Sequence, residues 1–165
     1  MSTGFILRDA TQGDCEDIAR LVRALADYEK LSDEARATGD DFRAQLFGSQ
    51  PVSYAMIAEV SGKAVGLALW FYNFSTFVCR PGLYVEDVFV EPAHRGLGIG
   101  RAFFVAMAQC AVARGCGRME WSVLDWNAPA IAFYRSLGAV GMQEWTIQRL
   151  TGDRIALLAD GGAHG

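Results

Sequence analysis

The chain has little of what metal sites and common nucleotide-binding loops require. Its two histidines, His94 and His164, lie far apart, and its four cysteines (Cys15, Cys79, Cys110, Cys116) show no C-x-x-C spacing. Neither pattern matches zinc-ligand spacing, so no metal is expected and the thiols read as small reduced residues. Lysine is confined to Lys30 and Lys63. A Walker loop, which needs a lysine directly after its glycines, is therefore excluded. The longest strongly apolar run, "AVGLALWFYNF", is about half the length of a membrane-spanning helix and rich in strand formers. The N-terminal residues carry no basic segment followed by an apolar core, so no secretory signal is read and a cytoplasmic location is expected. With 19 acidic against 15 basic residues, net charge -4, general affinity for nucleic acid is disfavoured while a cationic ligand is allowed.

What is present suits a globular domain: 165 residues, 52% apolar, 12% aromatic and 21% charged. One domain over residues 1–160 is expected, followed by a frayed tail at 161–165. "FILRDAT" reads as a first strand. Ile18, Leu21, Val22, Leu25 and Tyr28 then recur at helical spacing, with Asp14 as the expected cap. A second helix is expected over residues 39–47. "VSYAMIAEV" and "AVGLALWFYNF" flank "SGK", which marks a hairpin. In the next strand, "GLYVEDVFV", alternation puts Tyr84, Glu86, Val88 and Val90 on one face and Val85, Asp87 and Phe89 on the other. A helix to about Arg114, a strand at "RMEWSVL", a helix over "NAPAIAFYRSLG" and two final strands at "MQEWTIQRL" and "DRIALLA" complete the pattern. The result is an α/β chain, a mixed sheet of about seven strands with four helices.

The segment "HRGLGIG" places three glycines at alternate positions directly before a helix. A helix start leaves N–H groups unpaired at the positive end of its dipole, so this is an anion site by geometry. Arg95 and Arg101 flank it and can add charge-assisted bonds. The dinucleotide fingerprint does not fit, because the order is G-x-G-x-G after a strand that is not the first of a βαβ unit.

Arg95-Gly96-Leu97-Gly98-Ile99-Gly100 resembles the R-x-x-G-x-G/A motif of the GCN5-related N-acetyltransferases (GNAT). "LYVEDVFVEPAHRG" before it is similar to that family's central strand, and "DWNAPAIAFYRSLGA" to its second cofactor segment. The resemblance extends to the diamine (spermidine/spermine) N-acetyltransferase branch and its thialysine-acetylating relatives. It implies a mostly antiparallel sheet, a homodimer and acetyl-CoA as cofactor, with the pyrophosphate bound by Arg95, Gly96, Leu97, Gly98, Ile99, Gly100 and Arg101. It also implies that Val88, Phe89 and Val90 pair with the pantetheine amides through their backbone and that Asn127 and Tyr134 contact the same cofactor.

Acetyl transfer needs a neutral amine, whereas alkylammonium groups titrate near 10, as lysine does, so a proton acceptor is required. Glu86 lies in an apolar strand, where a carboxylate's pKa can be raised. The resemblance makes Glu86 the general base, directly or through water, and Tyr134 the acid that protonates the departing sulfur. Asn127, just before Ala128-Pro129, also reads as a helix N-cap. Glu29, Glu86, Asp87, Glu144 and Trp145 resemble the acidic and aromatic positions that hold a cationic acceptor. "NFSTFVCRPGLY" departs from the branch: Phe77, Val78 or Cys79 stands where the animal enzymes carry tryptophan, and Arg80 adds a positive charge. The expected activity is direct acetyl transfer to a small primary amine in a ternary complex, with an acyl-CoA sensor or a protein N-acetyltransferase as the alternatives.

Overall fold

The computed structural model describes residues 4–162. It comprises two compact units, one ending at Leu124 and one beginning at Asp125. The first holds β1 (Ile6–Asp9), α1 (Cys15–Tyr28), α2 (Gly39–Phe47), β2 (Tyr54–Val60), β3 (Lys63–Ser75), β4 (Arg80–Val90), α3 (Ile99–Ala113) and β5 (Arg118–Glu120). The sheet runs β1-β2-β3-β4-β5. Its pairs are antiparallel except β4 with β5, which is parallel.

The apolar stripe of α1 delivers Ile18 and Leu21 onto Ile57, Leu67, Leu69 and Phe89 of the sheet, with Leu46 of α2 joining them. Each fully buried side chain of this size contributes roughly 1.5 to 3 kcal/mol. From α3, Phe103 and Met107 are completely buried. Gly66 lets α3 approach, since a Cβ there would stand 3.2 Å from both the Phe103 ring and the Phe89 carbonyl oxygen. The β2–β3 hairpin turns on Ser61 and Gly62 at φ 50° and 77°, the left-handed pair that a two-residue turn demands.

Asp14 differs from its expected role. It precedes α1, but its side chain makes no cap bond. Its carboxylate instead accepts from the Arg8 guanidinium at 2.7 and 2.8 Å and from the Thr11 N–H and hydroxyl at 2.7 and 2.9 Å. A bidentate charged partner is stronger than a neutral cap donor, and it holds Asp14 down at about 2.

The second unit contains α4 (Ala128–Ser136) and α5 (Gly152–Ala159). The two expected final strands do not form: residues 142–150 have no regular structure, and "DRIALLA" is helical. The described sheet therefore has five strands rather than seven, and a fifth helix joins the expected four. "IALLA" is continuously apolar rather than alternating, a pattern that fits a helix as readily as a strand, and alanine, leucine and arginine favour the helix. The strand expected at "RMEWSVL" is limited to Arg118–Glu120. The tail expected from 161 falls mainly on 163–165, outside the described residues. No helix among the described residues is long and apolar enough to cross a membrane.

Candidate active site

β4 organises the site in the first unit. It pairs with β3 along its whole length, to Val90 opposite Gly66, but with β5 only from Gly82 to Tyr84. From Val85 onward the β5 side of β4 has no strand partner among the described residues, so those main-chain groups of the Val88–Val90 stretch that turn away from β3 lie along an open edge. A ligand bearing amides can add to such an edge as a strand would.

The register also shifts within this strand. Leu69 faces Asp87 and Trp70 faces Val85, which makes Glu86 the extra residue of a bulge. Glu86 is exposed. The burial anticipated for Glu86 falls instead on its half-buried neighbour Asp87. Burial, reinforced by the charges of Glu86 and Glu29, pushes the Asp87 carboxyl up to about 6. Glu29 closes α1 as its C-cap and is half-buried; burial raises its pKa too. The charges of Glu29 and Glu86 thus both act on Asp87, making its carboxyl harder to ionise, and a cation placed beside it would relieve that repulsion.

At the end of β4 the chain passes through a short turn, Pro92–His94, into the glycine loop. Gly96 and Gly98 adopt φ 82° and 84°, and an added Cβ at either would meet nothing within 4 Å. The glycines are required by backbone conformation, and the space beside them is open. Gly98 is the N-cap of α3, and the first N–H bonded back into this helix is that of Ala102. The N–H groups of Ile99, Gly100 and Arg101 are therefore left for an anion. Arg101 and Gly98 border an open groove of about 520 Å³ that continues along Ala102, Val105 and Ala106. The residues present fit a pyrophosphate.

Arg95 is held more closely than the motif implies. Its Nε donates to the Val90 carbonyl at 3.0 Å. Its guanidinium carbon lies 4.9 Å from the Tyr28 ring centre and 5.8 Å from that of Phe89. Sequence reasoning missed this use of Tyr28, which it read only as part of an apolar helical stripe. No spacing rule connects it to Arg95.

In the second unit, Asn127 is buried and its side-chain oxygen accepts from the Ala130 N–H at 3.3 Å, the expected N-cap of α4. Tyr134 lies within α4 with its ring 5.6 Å from that of Phe133. Glu144 and Trp145 lie in the irregular segment, Trp145 being 74% exposed. Back in the first unit, the β3–β4 connection carries Phe77, 91% exposed, and Cys79 at φ 50°.

Comparison with known proteins gives this arrangement a family. The family model described as Acetyltransferase (GNAT) matches residues 18–139. The thialysine N-epsilon-acetyltransferase of Bos taurus is 36% identical over 93% of this chain and 96% of its own length. The human spermidine/spermine N(1)-acetyltransferase-like protein 1 is 33% identical over 94% of this chain, which covers 24% of that longer protein. Among solved structures, an integron cassette protein from the mobile metagenome of V. cholerae superposes with a TM-score of 0.78 at 26% identity, covering 94% of this chain and 97% of its own. The chain belongs to the GNAT family and is an N-acetyltransferase of its diamine acetyltransferase-like branch.

Proposed function

We propose that this N-acetyltransferase moves an acetyl group from acetyl-CoA to the primary amine of a small cation, a diamine, a polyamine or a thialysine-like amino acid. The observation that carries the reading is the open edge of β4 running into a left-handed glycine turn and a helix start, with Asp87 on the same strand raised by burial and by the nearby charges of Glu86 and Glu29. Acetyl-CoA supplies the activated acetyl group. Residues 88–90 offer backbone groups to its amide arm, residues 95–101 offer N–H groups and guanidinium charge to its pyrophosphate, and Asn127 serves the same cofactor. Residues 1–160 work as one catalytic domain, consistent with a family match that spans both units.

Glu29, Glu86 and Asp87, with Glu144 and Trp145, receive the acceptor. An indole face can hold an ammonium by roughly 0.5 to 2 kcal/mol. Glu86, exposed at the bulge, takes the proton that the ammonium must shed, directly or through water. The Tyr134 hydroxyl protonates the departing thiolate. Transfer is direct, within a ternary complex. The relatives' named substrates, thialysine and L-ornithine among them, support an amino-acid-like or diamine acceptor.

A homodimer in the cytoplasm is part of the same reading. Val140, Met142, Ile147 and Leu158 are each more than half exposed in one chain, apolar area available for a second copy to cover. The test of function is thiol release from acetyl-CoA across diamines, polyamines, thialysine, ornithine and a lysine-containing peptide. Turnover with the small amines is expected. Tight acetyl-CoA binding without turnover on any acceptor would favour a sensor, and turnover on the peptide alone a protein N-acetyltransferase.

A further inference from the structure

The Arg95 side chain bridges two elements that the proposed reaction uses separately. Its Nε is tethered to the Val90 carbonyl at the end of β4, and its planar group lies over the Tyr28 ring and near that of Phe89. Tyr28 is the last residue of α1, and the next residue is Glu29, whose charge acts on Asp87. The two terminal nitrogens of Arg95 make no hydrogen bond to the described residues, so the fixed guanidinium still has donors to offer. A free arginine on an exposed loop would lose rotamer freedom on capturing an anion, whereas one already tethered and stacked loses less.

We propose that Tyr28 is a positioning residue for cofactor binding: its ring holds the Arg95 guanidinium in place so that the terminal nitrogens face the anion at the glycine loop. The proposal rests on the reading of that loop as the pyrophosphate site. It gives α1 a second role: the same helix end that brings Glu29 toward the acceptor orders the arginine that serves the cofactor.

The test is calorimetric titration with coenzyme A of the full chain, Tyr28→Phe and Tyr28→Leu, each also in an Arg95→Gln background, with steady-state kinetics on the active forms. Tyr28→Phe keeps the ring face and should bind within about twofold of the parent. Tyr28→Leu should bind about 3- to 30-fold more weakly, the range expected for a lost cation–π contact. It should raise the KM for acetyl-CoA with little change in kcat. In the Arg95→Gln background Tyr28→Leu should have no further effect, since nothing remains to be positioned. Equal losses in the two backgrounds, or full affinity in Tyr28→Leu, would overturn the proposal. Tyr28→Gln is the second variant if leucine prevents folding. Failure of the parent chain itself to bind coenzyme A would overturn the pyrophosphate reading, an outcome distinct from failure of the Tyr28 variants alone.

Discussion

Replacing Asp87 by asparagine should stabilise the protein, and by an amount that depends on pH. The Asp87 carboxyl is raised from 3.8 to about 6, with burial the largest cause and the charges of Glu86 and Glu29 adding to it. A difference of that size corresponds to about 3 kcal/mol between the two protonation states. Because the folded-state pKa lies above the unfolded one, the folded state favours the protonated carboxyl. That favourable contribution is fully present below about pH 4 and is lost as pH rises through about 6. At pH 8 the parent therefore bears up to about 3 kcal/mol of cost for keeping Asp87 ionised, while asparagine bears none. Urea denaturation of both proteins at pH 4, 6 and 8 should show Asp87→Asn gaining up to about 3 kcal/mol on the parent between the two ends, after any constant packing difference is subtracted. Saturating acceptor amine should stabilise the parent more than the variant, because a bound cation offsets the buried charge. High salt should narrow the gap only modestly, since burial outweighs the neighbouring charges. A stability difference that stays flat from pH 4 to pH 8 would refute the reasoning.

Asp14 gives the opposite sign. Arg8 holds its carboxyl at about 2, so Asp14→Asn should lose about 2 kcal/mol at pH 7, and the loss should shrink as pH falls through 4 toward 2; a pH-independent difference by thermal denaturation would contradict this. Gly98→Ala should cost about 1 kcal/mol of stability through its φ of 84° alone, with weaker coenzyme A binding as well, and an unchanged melting temperature would mean the left-handed turn is not required. Tyr134→Phe should lower kcat about 100-fold or more with coenzyme A affinity nearly unchanged, and undiminished turnover in a thiol-release assay would remove Tyr134 as the acid.

Local order along the chain made most of the first unit legible. The helical spacing of Ile18, Leu21 and Leu25, the Ser61-Gly62 turn and the Gly98 helix start are each written within a few residues, and each forms as read. The Asn127 cap is local in the same sense. The helix over residues 152–159 was not legible, because a continuous apolar run does not distinguish strand from helix, and residues 142–150 alternate as a strand would but have no strand partner among the described residues.

The division at the site itself follows the same physical line. The sequence by itself determined that an anion loop follows a strand carrying adjacent carboxylates, since glycine conformation, helix-start N–H groups and residue order depend only on neighbours along the chain. The tertiary structure decided which carboxylate is the more shielded from water. A bulge exists only by comparison with the partner strand, and the pairing of β3 with β4 left Glu86 exposed and Asp87 half-buried. It decided as well that β5 stops pairing at Tyr84, opening the edge of β4, and that Arg95 lies over Tyr28. These are contacts between segments distant in the chain, fixed by packing rather than by local preference.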